Sequence, residues 1–212
     1  IKLFKDLENV PFDTPKPVKL IKMLSIIGSD KEDIVLDFFS GSATTAQAIM
    51  ELNEETQSNR KFILVQMPEI IDDNPGAIKI GLNNIAEVGK ERIRRAGKTI
   101  KEENPLTAQD LDTGFRVFKC DSSNYKDVAF APKDYTQDML AGLLDNIKED
   151  RTDLDLLFDC MLRWGVELSL PLSTTKVDGC TIHNVNDGDL VACFDGNVTE
   201  AVIDAIADLS PL

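Results

Sequence analysis

The apolar run Ile34-Val35-Leu36 leads directly into Asp37-Phe38-Phe39-Ser40-Gly41-Ser42-Ala43-Thr44-Thr45, and this passage constrains the chain more than any other. A short buried strand ends in an acid, a loop of small residues follows, and a helix opens at the threonines. That order predicts a ligand loop at the carboxyl edge of a parallel sheet. Gly41 permits a tight turn and a close backbone approach, and the amides at the next helix N-terminus attract an anion.

The surrounding pattern repeats the unit. Val18, Leu20, Ile21, Leu24 and Ile27 have helical spacing over 18–28, with Gly28 as the stop. After the loop a helix is expected over roughly 44–53, then a second buried strand at Lys61-Phe62-Ile63-Leu64-Val65-Gln66. A long helical pattern follows Pro75-Gly76 to about Lys101, and Phe115–Lys119 reads as a further strand. Strand and helix alternating in this way predict an α/β fold with parallel strands. The second half changes character. Acidic helices are expected over 136–150 and 152–164, with Gly165 closing the second. Strands at 180–185 and 189–194 flank the turn signal Asn186-Asp187-Gly188, and Asn197-Val198-Thr199-Glu200 reads as a capping box opening a last helix.

Composition narrows the function. Apolar residues make up 42% of the chain, enough for a real core, and no apolar run approaches the roughly 20 residues of a spanning helix. No secretory leader is visible, so a cytoplasmic protein without a membrane role is expected. The net charge of -14 argues against a broad DNA-binding face, which needs Lys and Arg for phosphates. The main basic cluster, Lys90, Arg92, Arg94, Arg95, Lys98 and Lys101, is read as a solvated helix face, with a phosphate-contacting patch as the alternative. Cys120, Cys160, Cys180 and Cys193 are widely spaced without C-x-x-C, and His183 is the only histidine. Reduced thiols and no metal site are therefore expected. His183 is expected at the surface, and Phe158 and Trp164 in the core.

The loop's details exclude two common ligands. A dinucleotide site needs G-x-G-x-x-G, and only Gly41 is present. A P-loop needs Gly-Lys-Ser/Thr, and no Lys follows in this loop. The readings left are the methionine carboxylate of S-adenosylmethionine at the helix N-terminus, or an ordinary strand-to-helix turn.

A second signal precedes the loop. Thr14-Pro15-Lys16-Pro17 through Leu20 and Ile21, then 37–45, resembles the adjacent tenth and first motifs of β-group amino methyltransferases of DNA. Residues 60–69 and 89–96 sharpen the likeness to modification subunits of type III restriction-modification systems. So do 114–119 with 121–124, the acidic 145–151 and the Asp187-Gly188-Asp189 hairpin. The resemblance implies a Rossmann-like, S-adenosylmethionine-dependent sheet, here partial, over 1–125, with a C-terminal α+β extension over 126–212. It implies that Thr14, Lys16, Pro17, Asp37, Phe39, Gly41, Ser42, Thr44 and Thr45 bind the cofactor. Lys16 and the hydroxyls suit the carboxylate, Asp37 the ammonium, and Phe39 the adenine. Many methyltransferases end the second strand in an acid that takes the ribose hydroxyls. Gln66 stands there in this chain, with Glu69 three residues on. Ala43 replaces the family's more frequent glycine.

Amino methylation of a flipped adenine uses a D-P-P-Y-like motif in this family. Asn74-Pro75-Gly76 and Asn104-Pro105-Leu106 lack its second proline and aromatic, so no catalytic residue is assigned. In β-group order that motif and the target-recognition region lie upstream. With Ile1 in place of an initiator Met, the chain is expected to be a C-terminal fragment, inactive alone, whose sequence continues beyond Leu212 as well. The expected partners are duplex DNA, mainly through the upstream part, a restriction subunit, and a second copy in the full-length form. The alternatives are an assembly or dimerisation module of the same complex, and a methyltransferase for another substrate.

Overall fold

A computed structural model of the chain describes residues 2–4, 14–72, 74–126 and 146–211. It divides into two compact units, Ile1–Phe115 and Arg116–Leu212, each of mixed α/β character.

In the first unit, helix α1 spans Val18–Gly28. Pro17 fixes its start, since proline suits the turn before a helix, and the chain leaves it through Ser29. Strand β1 (Ile34–Asp37) pairs in parallel with β2 (Lys61–Leu64), with Val35 opposite Phe62 and Asp37 opposite Leu64. Helix α2 (Thr44–Thr56) connects them. Arg60 ties the entry of β2 to the exit of α1, its Nε 3.0 Å from Ser29 Oγ and its Nη2 3.0 Å from the Ser29 carbonyl.

The single helix expected after Pro75-Gly76 is two: α3 (Pro75–Lys79) and α4 (Ile85–Glu103). Gly81, at φ 84°, turns the chain between them, and Asn84 caps α4 by accepting the Glu87 amide at 3.0 Å. The core joins α2, α4 and β2 through Ala43, Ala46, Met50, Ile93, Ala96 and Ile100, with Phe62 and Leu64 packed on it. The alanines let α2 and α4 approach closely.

Gly97 permits a different close approach, that of Thr113 to α4. A Cβ there would sit 2.8 Å from the Thr113 Cβ, an atom fixed to its backbone. Gly97→Ala should gain about 1 kcal/mol of helix propensity and lose more to overpacking, roughly 1–3 kcal/mol. A fall in the urea midpoint at unchanged slope is the expected result; a rise contradicts the packing.

Two strand expectations need correction. β1 and β2 are buried on one face only: Val35, Phe62 and Leu64 turn towards the helices, whereas Ile34, Leu36 and Ile63 are exposed. Residues 115–119 form no strand; Phe115 packs on the first core, and Phe118 stands edge-on to Phe158 at 4.9 Å.

In the second unit, helix α5 (Asp153–Trp164) opens with a capping box of Thr152 and Asp155 and closes at Gly165, φ 73°. Of the helix expected over 136–150, residues 136–145 lie outside the described ones, and Ile147 bridges Tyr125 ahead of a turn. Strands β3 (Leu172–Val177), β4 (Cys180–Val185) and β5 (Leu190–Ala192) form an antiparallel meander. Helix α6 spans Glu200–Asp208. Its N-cap is Thr199, without a side-chain cap; the box expected from Asn197 does not form, because the helix opens two residues later, and the Thr199 hydroxyl donates to Asp178 at 3.0 Å.

Central strand β4 is covered on both faces. Val185 packs with Leu157 and Met161 of α5, and Cys180 and Ile182 pack with Val202 of α6. His183 therefore lies inside, 4% exposed, with Nδ1 3.3 Å from Thr174 Oγ1 and Nε2 3.8 Å from Asp153, not at the surface as expected. Trp164, expected in the core, is 70% exposed at the end of α5; Phe158 packs as expected against the core.

Candidate functional site

β1 delivers Asp37 to the sheet edge, and the backbone turns back through two left-handed residues, Gly41 (φ 52°) and Ala43 (φ 59°). The second explains why glycine suits this position. Alanine there costs on the order of 1 kcal/mol, and its methyl group is buried against α4 and α2. Three bonds lock the loop to β2 and to itself. The Ser40 amide donates to the Val65 carbonyl at 3.1 Å, the Gly41 amide to Gln66 Oε1 at 2.6 Å, and the Ala43 amide to the Ser40 carbonyl at 2.9 Å.

The hydroxyls expected at a ligand face inward instead. Ser42, Thr44 and Thr45 are buried. Thr45 Oγ1 donates to Asp37 Oδ2 at 2.5 Å, joining the end of β1 to the first turn of α2. Ser42 Oγ and Thr44 Oγ1 each accept from Arg92 Nη1 at 2.8 Å, and Arg92 Nε donates to Gln47 Oε1 at 2.9 Å. Each of these hydroxyls keeps its own hydrogen for a further acceptor.

Arg92 is the residue that sequence reasoning missed. It stood within a basic cluster read as solvated, yet it is 5% exposed and lies under the loop. Burial lowers its pKa from the usual arginine value, and Glu51 opposes the fall. A guanidinium starts from so high a value that it stays charged, so a fixed cation underlies the turn. The signal was present: Val88, Arg92 and Ala96 recur at helical spacing along the buried stripe of α4. Other members of the cluster are engaged with neighbours, Lys90 with Glu87, Arg94 and Arg95 with Glu91, and Lys98 with Glu102.

Some expected groups are open to a ligand. Phe39 is 72% exposed and meets Phe38 edge-on at 5.2 Å. Asp37 is half-buried, and Gly41 shows part of its backbone. The N-terminus of α2 has no side-chain cap, so its first amides are free of side-chain partners. Gln66 is half-buried and already engaged, its Nε2 donating to the Met67 carbonyl at 3.1 Å and its Oε1 accepting from Gly41. Glu69 is exposed beyond it. Thr14, Lys16 and Pro17 lie on the segment leading into α1, which packs along α2. The structure thus brings Asp37, Gly41, Ser42, Thr44, Thr45 and Gln66 into one bonded unit. It leaves Phe39 and Glu69 as exposed side chains beside it.

The sequence has recognisable relatives. Residues 4–84 match the DNA methylase family N6_N4_Mtase. The chain is 45% identical over 119 residues to the type III restriction-modification enzyme StyLTI Mod subunit of Salmonella typhimurium, covering 56% of this chain and 18% of that protein. It is 40% identical over 106 residues to the EcoPI Mod subunit of Escherichia phage P1, covering 50% and 16%. It is 30% identical over 219 residues to the EcoP15I Mod subunit of Escherichia coli, covering 99% and 31%. The chain therefore spans less than a third of the length of each of these relatives. Residues 4–84 match the DNA methylase family, and almost the whole chain is similar in sequence to the Mod subunit of one type III restriction-modification enzyme, EcoP15I.

Proposed function

We propose that the chain is the S-adenosylmethionine-binding portion of a site-specific adenine-N6 DNA methyltransferase, the modification subunit of a type III system. The observation that carries this reading is the loop 37–45, an acid and an uncapped helix N-terminus held over the buried Arg92 cation. An amino-acid tail needs such a pair of opposite charges. Asp37 takes the ammonium, and the α2 amides, with the Arg92 field beneath them, take the carboxylate. Lys16, on the segment with Thr14 and Pro17, adds charge to the carboxylate side. The hydroxyls of Ser42, Thr44 and Thr45 shape the loop. Phe39 offers its open face to the adenine, and Gln66 and Glu69 serve the ribose hydroxyls. In the whole enzyme the sulfonium methyl passes to N6 of a flipped adenine, leaving S-adenosylhomocysteine and a proton.

The bare apolar face supports a larger sheet. Parallel strands are found with both faces covered, yet Ile34, Leu36 and Ile63 are exposed on one face. On α1, Met23, Leu24, Ile26 and Ile27 are exposed as well. We infer that the rest of a Rossmann-like methylase domain, carrying the D-P-P-Y motif and the target-recognition region, covers this surface. Residues 1–125 then belong to that domain and 126–212 to an extension. The partners are duplex DNA, held mainly by the upstream part, a restriction subunit and a second modification subunit. Acting on DNA puts the protein in the cytoplasm. Among the described residues no helix is long and apolar enough to cross a membrane.

The test is methyl transfer from tritiated S-adenosylmethionine to DNA. The chain alone should incorporate no label, and a form extended upstream to include the catalytic motif should label adenine. Labelling by the chain alone, or no labelling by a folded extended form, contradicts the assignment.

A further inference from the structure

In the second unit the sheet register unites two cysteines that the sequence keeps apart. β4 opens on Cys180, and the chain returns along β5 to reach Cys193 just beyond its end. His183 pairs with Ala192 in the β4–β5 ladder. Continuing that alternation puts Cys193 on the same face as Cys180 and Ile182, and all three join the cluster around Val202. Asp195 follows, and its Oδ2 accepts the Thr181 amide at 2.6 Å. The two sulfurs and a carboxylate oxygen of Asp195 lie within 4.8 Å of one another.

We propose that Cys180, Cys193 and Asp195 form a binding site for a divalent ion of the zinc class. Two thiolates on a tetrahedral zinc ion stand roughly 3.8 Å apart, so the three donors need only small inward movements. The donor set suits a borderline-soft ion, two sulfurs and one oxygen, with the fourth position open to water. The Thr181 amide already orients the carboxylate, as outer groups do around metal ligands. Apolar Ile182 and Val202 shield the sulfur side, and half-buried Asp195 gives the ion a way in. Binding replaces the two thiol protons by the metal. C-x-x-C spacing is not needed here, because a sheet rather than a turn assembles the ligands. This reading reverses the expectation of no metal site, and it is independent of the cofactor assignment.

The test is titration of the reduced 212-residue chain with Co2+, followed by displacement with Zn2+. One equivalent of Co2+ should produce a thiolate-to-cobalt absorption band that Zn2+ abolishes. Cys193→Ser should eliminate the band; its side chain is half-buried, and circular dichroism verifies the fold. Asp195→Asn should weaken Co2+ binding by at least about tenfold, the lower end of what loss of an outer-shell partner costs. Cys120→Ser and Cys160→Ser should leave the band intact. No band from the folded chain with all thiols reduced overturns the proposal, as does a band that survives Cys193→Ser.

Discussion

Arg92→Met should cost the chain about 3 kcal/mol of stability and undo the order of its 37–45 loop. The guanidinium holds Ser42, Thr44 and Gln47 at 2.8–2.9 Å, and bonds to a charged group contribute about 1.5–3 kcal/mol each. The three are not additive, and relief of the buried charge offsets part of the loss. Methionine matches the length of the stem, so the packing on α4 is largely kept. What disappears is the link between α4 and the turn, together with the positive field under the α2 N-terminus. Arg92→Lys preserves the charge but not the fork, and one ammonium cannot reproduce the geometry to two hydroxyls and an amide. An intermediate loss is expected. Urea unfolding of the three proteins checks the order wild type, lysine, methionine. Equal midpoints for all three would mean that the Arg92 bonds contribute nothing to the loop.

Asp37→Asn separates ligand chemistry from loop architecture. Asparagine keeps a side-chain oxygen that accepts from Thr45, so the turn and the stability should change little. It removes the negative charge assigned to the ammonium of the methionine tail. A charge-assisted bond lost there corresponds to roughly 10–150-fold weaker binding, from about 1.5–3 kcal/mol. Thr45→Val makes the opposite cut, losing the bond to Asp37 Oδ2 while leaving the charge. It should lower stability more than Asp37→Asn does. Calorimetric titration of an upstream-extended form with S-adenosylhomocysteine, beside urea melts, checks both. An asparagine variant that binds as tightly as wild type removes Asp37 from the site.

Local chemistry made the frame of the first unit legible. Pro17 and Gly28 bound α1, and the apolar run at 34–36 with the glycine after it marked β1, the loop and α2. The pairing of β1 with β2 follows from strand, helix and strand in succession. Other features needed three dimensions. Arg92 matches Arg94 and Arg95 in type; its spacing from Val88 and Ala96 marks it as buried, but that it lies under the loop needed the packing of α4. The exposed face of β1 and β2 is invisible in an apolar run, because the sequence records what wants burial and not what covers it. β3 was missed for a different reason. Leu172-Ser173-Thr174-Thr175-Lys176-Val177 is exposed in its middle and shows no apolar alternation. Its signal lay in the next two residues, Asp178 and Gly179, a two-residue turn with φ of 49° and 86°. His183 was misplaced for another reason: it shares a face of β4 with Val185, and only the packing of α5 on that face buries it.

The central claim is that the turn between β1 and α2 holds the amino-acid end of S-adenosylmethionine. Calorimetric titration of the upstream-extended protein with S-adenosylhomocysteine tests it most directly. Saturable heat is expected, sharply weakened by Asp37→Asn and lost with Arg92→Met, whereas a folded, extended protein that gives no binding heat contradicts the account.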